Sequence, residues 1–183
     1  MKISETRIIL LPGLGETGSD HWLSRWQTRL ATAHRIHVSP ERAHYVAALH
    51  KAVADELALP VVLVCHALGC SAALLAAHGF VQGRVRGAFL VAPPSDIFLH
   101  RQATGFAPVP RTKLPFPAVL IASRNDPAAE YSASEALAAE LGASFVDAGE
   151  AGGLDSEAGF GPWPEGLLRF GAFLRSLGPA SAA

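Results

Sequence analysis

The sequence predicts an α/β protein with three layers, in which about six mostly parallel strands carry helices on both faces. Three observations predict it. Short, wholly apolar runs rich in β-branched residues recur along the chain, as expected of strands buried on both sides. Segments with helical period separate them, so each strand is followed by a crossover. Polar, glycine-rich stretches follow the strands rather than precede them, and in parallel sheets ligands bind at the carboxyl ends of strands.

The elements follow in order. "RIILLPG" (7–13) is an apolar run stopped by Pro-Gly and reads as the first strand. "SDHWLSRWQTRLA" (19–31) reads as a helix capped by Ser19 or Asp20, with Trp22, Trp26 and Leu30 on one face. "RIHVS" (35–39) is a short strand, and residues 40–57 form a helix with Pro40 near its first turn. "VVLVC" (61–65) is a central strand leading into a small-residue helix at 67–79, ended by Gly79. A strand at 85–94 is followed by an irregular, lid-like segment at 95–114, rich in Pro and Gly. A strand at 117–126, a helix at 131–142, a strand at 143–149 and a closing helix at 164–177 complete the pattern. One domain spans 1–177, and "GPASAA" at 178–183 reads as a frayed tail.

Composition narrows the function. The chain has 183 residues, half of them hydrophobic and 17% charged, which suits one packed domain. With 15 basic and 16 acidic residues and no Lys/Arg run, a nucleic-acid partner is not expected. No apolar stretch reaches the roughly 18 residues of a membrane span, so no membrane partner is expected either. The start lacks a signal peptide's apolar core and cleavage site. Cys65 and Cys70 read as free, buried thiols, and a cytoplasmic location is expected. No pair of histidines has helical metal-site spacing beside an acid, so no metal is expected.

The chemistry should therefore lie in the loops after the strands. "VLVCHALGC" (62–70) is a strand, a tight turn and a helix, the setting of a nucleophile elbow, yet its tip is Ala67. "PGLGETGSDHW" (12–22), "SRNDP" (123–127) and "GEAGGLDSEAGFGPWPEG" (149–166) follow other strands. Asp126 stands where a triad acid belongs, and Leu14 and Leu68 stand where backbone oxyanion donors belong. The late loop holds no histidine.

With "PGLGETGSDHWLSRW", "CHALGC", "VAPP", "SRNDP" and the late loop together, the chain resembles the small serine hydrolases of the YdeN and retinoblastoma-binding-protein family, of α/β-hydrolase fold. The resemblance covers nearly the whole chain. It implies that Ala67 takes the nucleophile position, Asp126 the acid and Gly153 the histidine, while Cys65 replaces the elbow's first glycine. His21 and Trp22 match the family's "HW" pair at the pocket mouth, and Trp163 either walls the pocket or anchors the last helix. Ala67 cannot form an acyl-enzyme and Gly153 cannot carry a proton. A triad without its members retains only about 10³–10⁴-fold catalysis over water. That Gly153 and Cys65 also depart from the pattern favours natural loss over an introduced Ser→Ala change.

The expectation is thus a hydrolase-fold protein that binds a small ligand or a protein partner without hydrolysing it and without a cofactor. Two alternatives stand beside it. One is an enzyme with a substitute nucleophile (Cys65, Cys70 or Ser71) or base. Of the eight histidines, His100 in the lid-like segment is the best candidate base, whereas the side chain of His66 is expected to point away from the nucleophile. The other is a dinucleotide site, because Gly13, Gly15 and Gly18 match G-x-G-x-x-G after a strand. The acid that such a site needs at the second strand's end is missing. With no serine to hold, the strained elbow is expected to relax.

Overall fold

The computed structural model describes residues 1–14, 18–37 and 39–178. Six strands form one parallel sheet: β1 (Arg7–Leu11), β2 (Ala33–Arg35), β3 (Val61–His66), β4 (Val85–Val91), β5 (Ala118–Ala122) and β6 (Ser144–Asp147). Their spatial order is β2-β1-β3-β4-β5-β6. Every described pairing is parallel, so no strand departs from the sheet's single direction.

Strand residues alternate between two cores, as the period of two requires. Ile9, Leu11, Leu63, Cys65 and Leu90 face the layer made by helices α2 (Arg42–Asp55), α3 (Leu68–Ala76) and α5 (Tyr131–Leu141). Ile8, Leu10, Val62, Val64 and Phe89 face α1 (Trp22–Arg29) and α6 (Pro164–Ser176). The three-layer arrangement predicted from the apolar runs is the one observed, because each central strand is apolar on both faces and needs cover on both.

Four local features differ from the sequence reading. The second strand lies at Ala33–Arg35, ahead of 35–39; α1 ends earlier, and a turn from Leu30 brings Ala33 directly beside Ile8. The cap of α1 is His21, not Ser19 or Asp20: its Nδ1 accepts the Leu23 N–H at 3.1 Å. The segment 95–114 is not irregular throughout. It contains α4 (Asp96–Gln102), capped by Ser95 Oγ on the Phe98 N–H at 3.2 Å, and a 3-10 turn at Thr104–Phe106. Of the tail, Gly178 is held by its carbonyl, which accepts from the Met1 amine, and residues 179–183 lie outside the described residues.

The order places β1 and β3 side by side although β2 intervenes in sequence. The chain leaves β1 toward one edge and returns through α2 to build the rest of the sheet. The loops after β1 and β3 thus flank a topological switch point, where such sheets open a crevice at their carboxyl ends.

Candidate functional site

A cavity of about 470 Å³ opens at that crevice. Its floor is the turn from β3 into α3. There Ala67 holds φ 46° and ψ −120°, the conformation of the first central residue of a type II′ turn, where glycine is usual. The elbow has therefore not relaxed, contrary to the expectation. Its neighbours fix it. The Ala67 N–H donates to Val91 O at 3.0 Å, and its carbonyl accepts from Cys70 N at 2.9 Å. Two residues on, a Cβ at Gly69 would lie 2.1 Å from Leu11 O, so α3 rests on the backbone of β1. A Cβ at Gly13 would lie 3.1 Å from the Ala67 Cβ and 3.9 Å from His66 Nδ1, so the first loop also packs closely on the elbow. The glycine at 13 is thereby accounted for by close approach; Gly18 meets nothing within 4 Å, and Gly15 lies outside the described residues.

Leu14, Leu68 and His21 line the cavity with Ala67, Asp126 and Gly153. All three triad positions thus border one space. Trp22 and Trp163 do not border it. They lie behind its wall with ring centroids 5.0 Å apart, and Trp22 Nε1 donates to Leu154 O at 2.9 Å. Large rings gain more from full burial between α1 and α6 than from a wet wall. Trp163 takes the anchoring role, and Trp22 pins the late loop.

The late loop is also stitched to the loop after β5. Ser123 Oγ accepts the Ala151 N–H at 2.8 Å, and Asn125 Oδ1 accepts the Gly152 N–H at 2.7 Å. Sequence reasoning missed both residues; the only signal was the short polar run "SRND". It also missed Asp155. Its Oδ1 accepts the Ala158 N–H at 2.9 Å, and its Oδ2 lies 2.7 Å from the point a Gly153 Cβ would occupy.

His66, expected to point away from the nucleophile position, is 7% exposed and borders the cavity. Its Nε2 lies 2.8 Å from Gly153 O. A carbonyl only accepts, so Nε2 carries the proton and Nδ1 keeps its lone pair. Among the described residues Nδ1 has no hydrogen-bond partner. Burial lowers the pKa of both cavity histidines: His66 below the usual imidazole range, and His21 to about 3, the latter helped by the nearby His66. Both rings are neutral at pH 7.

Asp126 caps its own turn, its Oδ1 accepting the Ala128 N–H at 2.8 Å. Burial pushes its carboxyl up to about 6; the Ala128 bond opposes this and the charge of Asp155 adds to it. A carboxylate already paired with an imidazolium would move the other way.

The other candidates sit elsewhere. Cys65 and Cys70 are free and fully buried, and burial raises both thiols, the reverse of what a nucleophile requires. Ser71 is 1% exposed, outside the cavity lining. His100 is exposed on α4, although its helix neighbours Phe98, Leu99 and Gln102 roof the cavity. Among the described residues no cluster of His, Cys, Asp or Glu could hold a metal, and no helix is long and apolar enough to cross a membrane.

Comparison with known proteins bears on the family and the fold. A family model described as "Serine hydrolase" matches residues 8–172. A protein described as a YdeN-like hydrolase from Pectobacterium atrosepticum is 30% identical, with a TM-score of 0.86 over 97% of this chain and 95% of that one. The ydeN gene product of B. subtilis is 19% identical, with a TM-score of 0.73 over 94% and 98%. Esterase 2 of Thermogutta terrifontis, 14% identical with a TM-score of 0.70 over 100% and 88%, shares the fold. No curated protein sequence matches the chain. A parallel six-stranded sheet, an elbow at the β3–α3 turn and a family match across nine-tenths of the chain lead to one conclusion: the chain belongs to the serine hydrolase family and has the α/β-hydrolase fold.

Proposed function

We propose that the protein is a non-hydrolytic member of this family that keeps the ligand pocket and has given up acyl-enzyme chemistry. One observation carries the reading: the strained elbow tip, the position from which a nucleophile would face the cavity, is occupied by a methyl group. Gly153 supports it, since the late loop offers only a backbone carbonyl to His66 where the resemblance implies an imidazole. Among the described residues the retained acid, Asp126, has no cationic side chain to orient. The cavity remains large enough for a small ligand. We place the protein in the cytosol, where its two free thiols stay reduced.

A second reading, an enzyme with a substitute base, has one observation in its favour. His66 presents an unprotonated Nδ1 beside the elbow, where it could take a proton from water.

The test is hydrolysis of p-nitrophenyl butyrate by this chain and by a variant carrying Cys65→Gly, Ala67→Ser and Gly153→His. In that variant the Asp155 carboxylate must swing aside for the new ring, disturbing its bond from the Ala158 N–H. The expected result is no turnover and no fluorophosphonate labelling for this chain, and turnover for the variant. Turnover by this chain above a heat-denatured control would overturn the reading. Its loss on His66→Asn would then establish the second.

A further inference from the structure

The cavity has an unusual charge. Asp126, Asp155 and Glu157 border it, and among the described residues no Lys or Arg does. Its two histidines are neutral. His66, also largely buried, presents a lone pair on Nδ1 that no described residue engages. Asp155 Oδ2 stands beside Gly153, 2.7 Å from where a Cβ would lie, in the region where the resemblance would put an imidazole. An ordinary triad acid is built to face an imidazolium cation. Here no Lys or Arg among the described residues borders the cavity, while two carboxylates border it near Gly153 and the His66 Nδ1 acceptor faces its Gly13 side. Much of the remaining wall is apolar, with Leu68, Ala92, Phe98 and Leu99, and Gln102 and Ser156 add polar groups to it.

We propose that the cavity binds a small organic cation, a protonated amine on a short apolar group, with its ammonium against Asp126 and Asp155 and one N–H donated to His66 Nδ1. The ligand thereby supplies the positive charge that the family's histidine would carry, and its apolar part lies against Phe98 and Leu99 of α4. A carboxylate ligand is disfavoured, because it would meet three like charges in a partly buried space. The inference rests on the non-hydrolytic reading only in that Gly153 brings no imidazole and the Asp155 carboxylate stands in that region instead.

The experiment is isothermal titration calorimetry of the full chain at neutral pH with benzylammonium, benzyl alcohol and benzoate, which share one ring and differ in charge. Saturable binding of benzylammonium is expected, at least tenfold tighter than the alcohol, with no binding of benzoate. Asp155→Asn keeps the oxygen that accepts the Ala158 N–H and should weaken benzylammonium about tenfold. Glu157→Gln, an exposed change on the same rim, should weaken it less. Asp55→Asn, an exposed residue paired with Lys51 on α2, should leave it unchanged. Equal binding of amine and alcohol, a preference for benzoate, unaltered affinity in both rim variants, or no saturable binding at millimolar amine would each overturn the proposal. Ester turnover would count against the non-hydrolytic reading alone, so the two failures are distinguishable.

Discussion

Replacing Ala67 by glycine should stabilise the protein. The residue sits at φ 46°, ψ −120° with a side chain that this conformation disfavours. Strain of this kind costs about 1–3 kcal/mol at a non-glycine residue. Two losses oppose the relief. Glycine gives the unfolded chain more freedom, worth about 0.4–1 kcal/mol. Removing a half-buried methyl forfeits roughly half of the ~0.8 kcal/mol of a fully buried carbon. The balance is a gain of about 1 kcal/mol, which for a chain of this size raises Tm by roughly 2–4 °C. Urea denaturation with thermal melting of Ala67→Gly would measure it. Ala67→Ser, which keeps the strained Cβ, is the control and should show no gain. A loss of about 1 kcal/mol in Ala67→Gly, the ordinary result of putting glycine beside a helix, would refute the reasoning. It would mean that the surrounding contacts, rather than the backbone conformation, set the energy of the elbow.

Two further outcomes follow from the same site. Asp126 is held near 6, above the ordinary carboxylate value, so the fold binds its proton more tightly than the unfolded chain does. It therefore favours the fold below about pH 4 and costs stability as pH rises through 6. Asp126→Asn should gain about 1 kcal/mol at pH 7.5, a figure reduced for solvent screening, and nothing at pH 4. Urea titrations at the two pH values would measure this, and an equal effect at both would refute it. Gly69→Ala would drive a methyl into the Leu11 carbonyl and should cost about 3 kcal/mol or more, because backbone cannot give way as a side chain can. Gly18→Ala, which meets no atom, should cost far less in the same melts.

Much of this was legible in the residues. The apolar runs at 61–65 and 85–94 could only be central strands, and "CHALG" after the first of them located the elbow. What escaped reading has physical causes. Prolines and glycines around "SDIFLH" concealed a seven-residue helix whose cap, Ser95, is visible only once its oxygen is seen on Phe98. An imidazole is an uncommon helix cap, so Ser19 and Asp20 drew attention away from His21. His66 was expected to be turned from the site, and it does lie on the opposite side of its strand from Cys65. That side is where the late loop descends, and it brings the Gly153 carbonyl onto the ring. The expectation that the elbow would relax considered the missing serine alone. The turn is held by the Val91 carbonyl and by the closeness of α3 to β1, neither of which depends on a nucleophile. Asp155 gave no signal, since an acid in a glycine-rich loop resembles any turn residue.

The clustered indoles have an optical consequence. The chain has three tryptophans. Trp22 lies 4.9 Å from Trp26 and 5.0 Å from Trp163, and 5.7 Å from the His66 ring. All indole emission therefore originates in one patch on the α1–α6 side of the sheet, immediately behind the cavity, and excitation passes among its members before it is emitted. Intrinsic fluorescence in this protein is a local gauge of the pocket's rear wall. It registers a ligand that moves His66 or the late loop, and it is blind to a loosening of α2 or α5 on the far side.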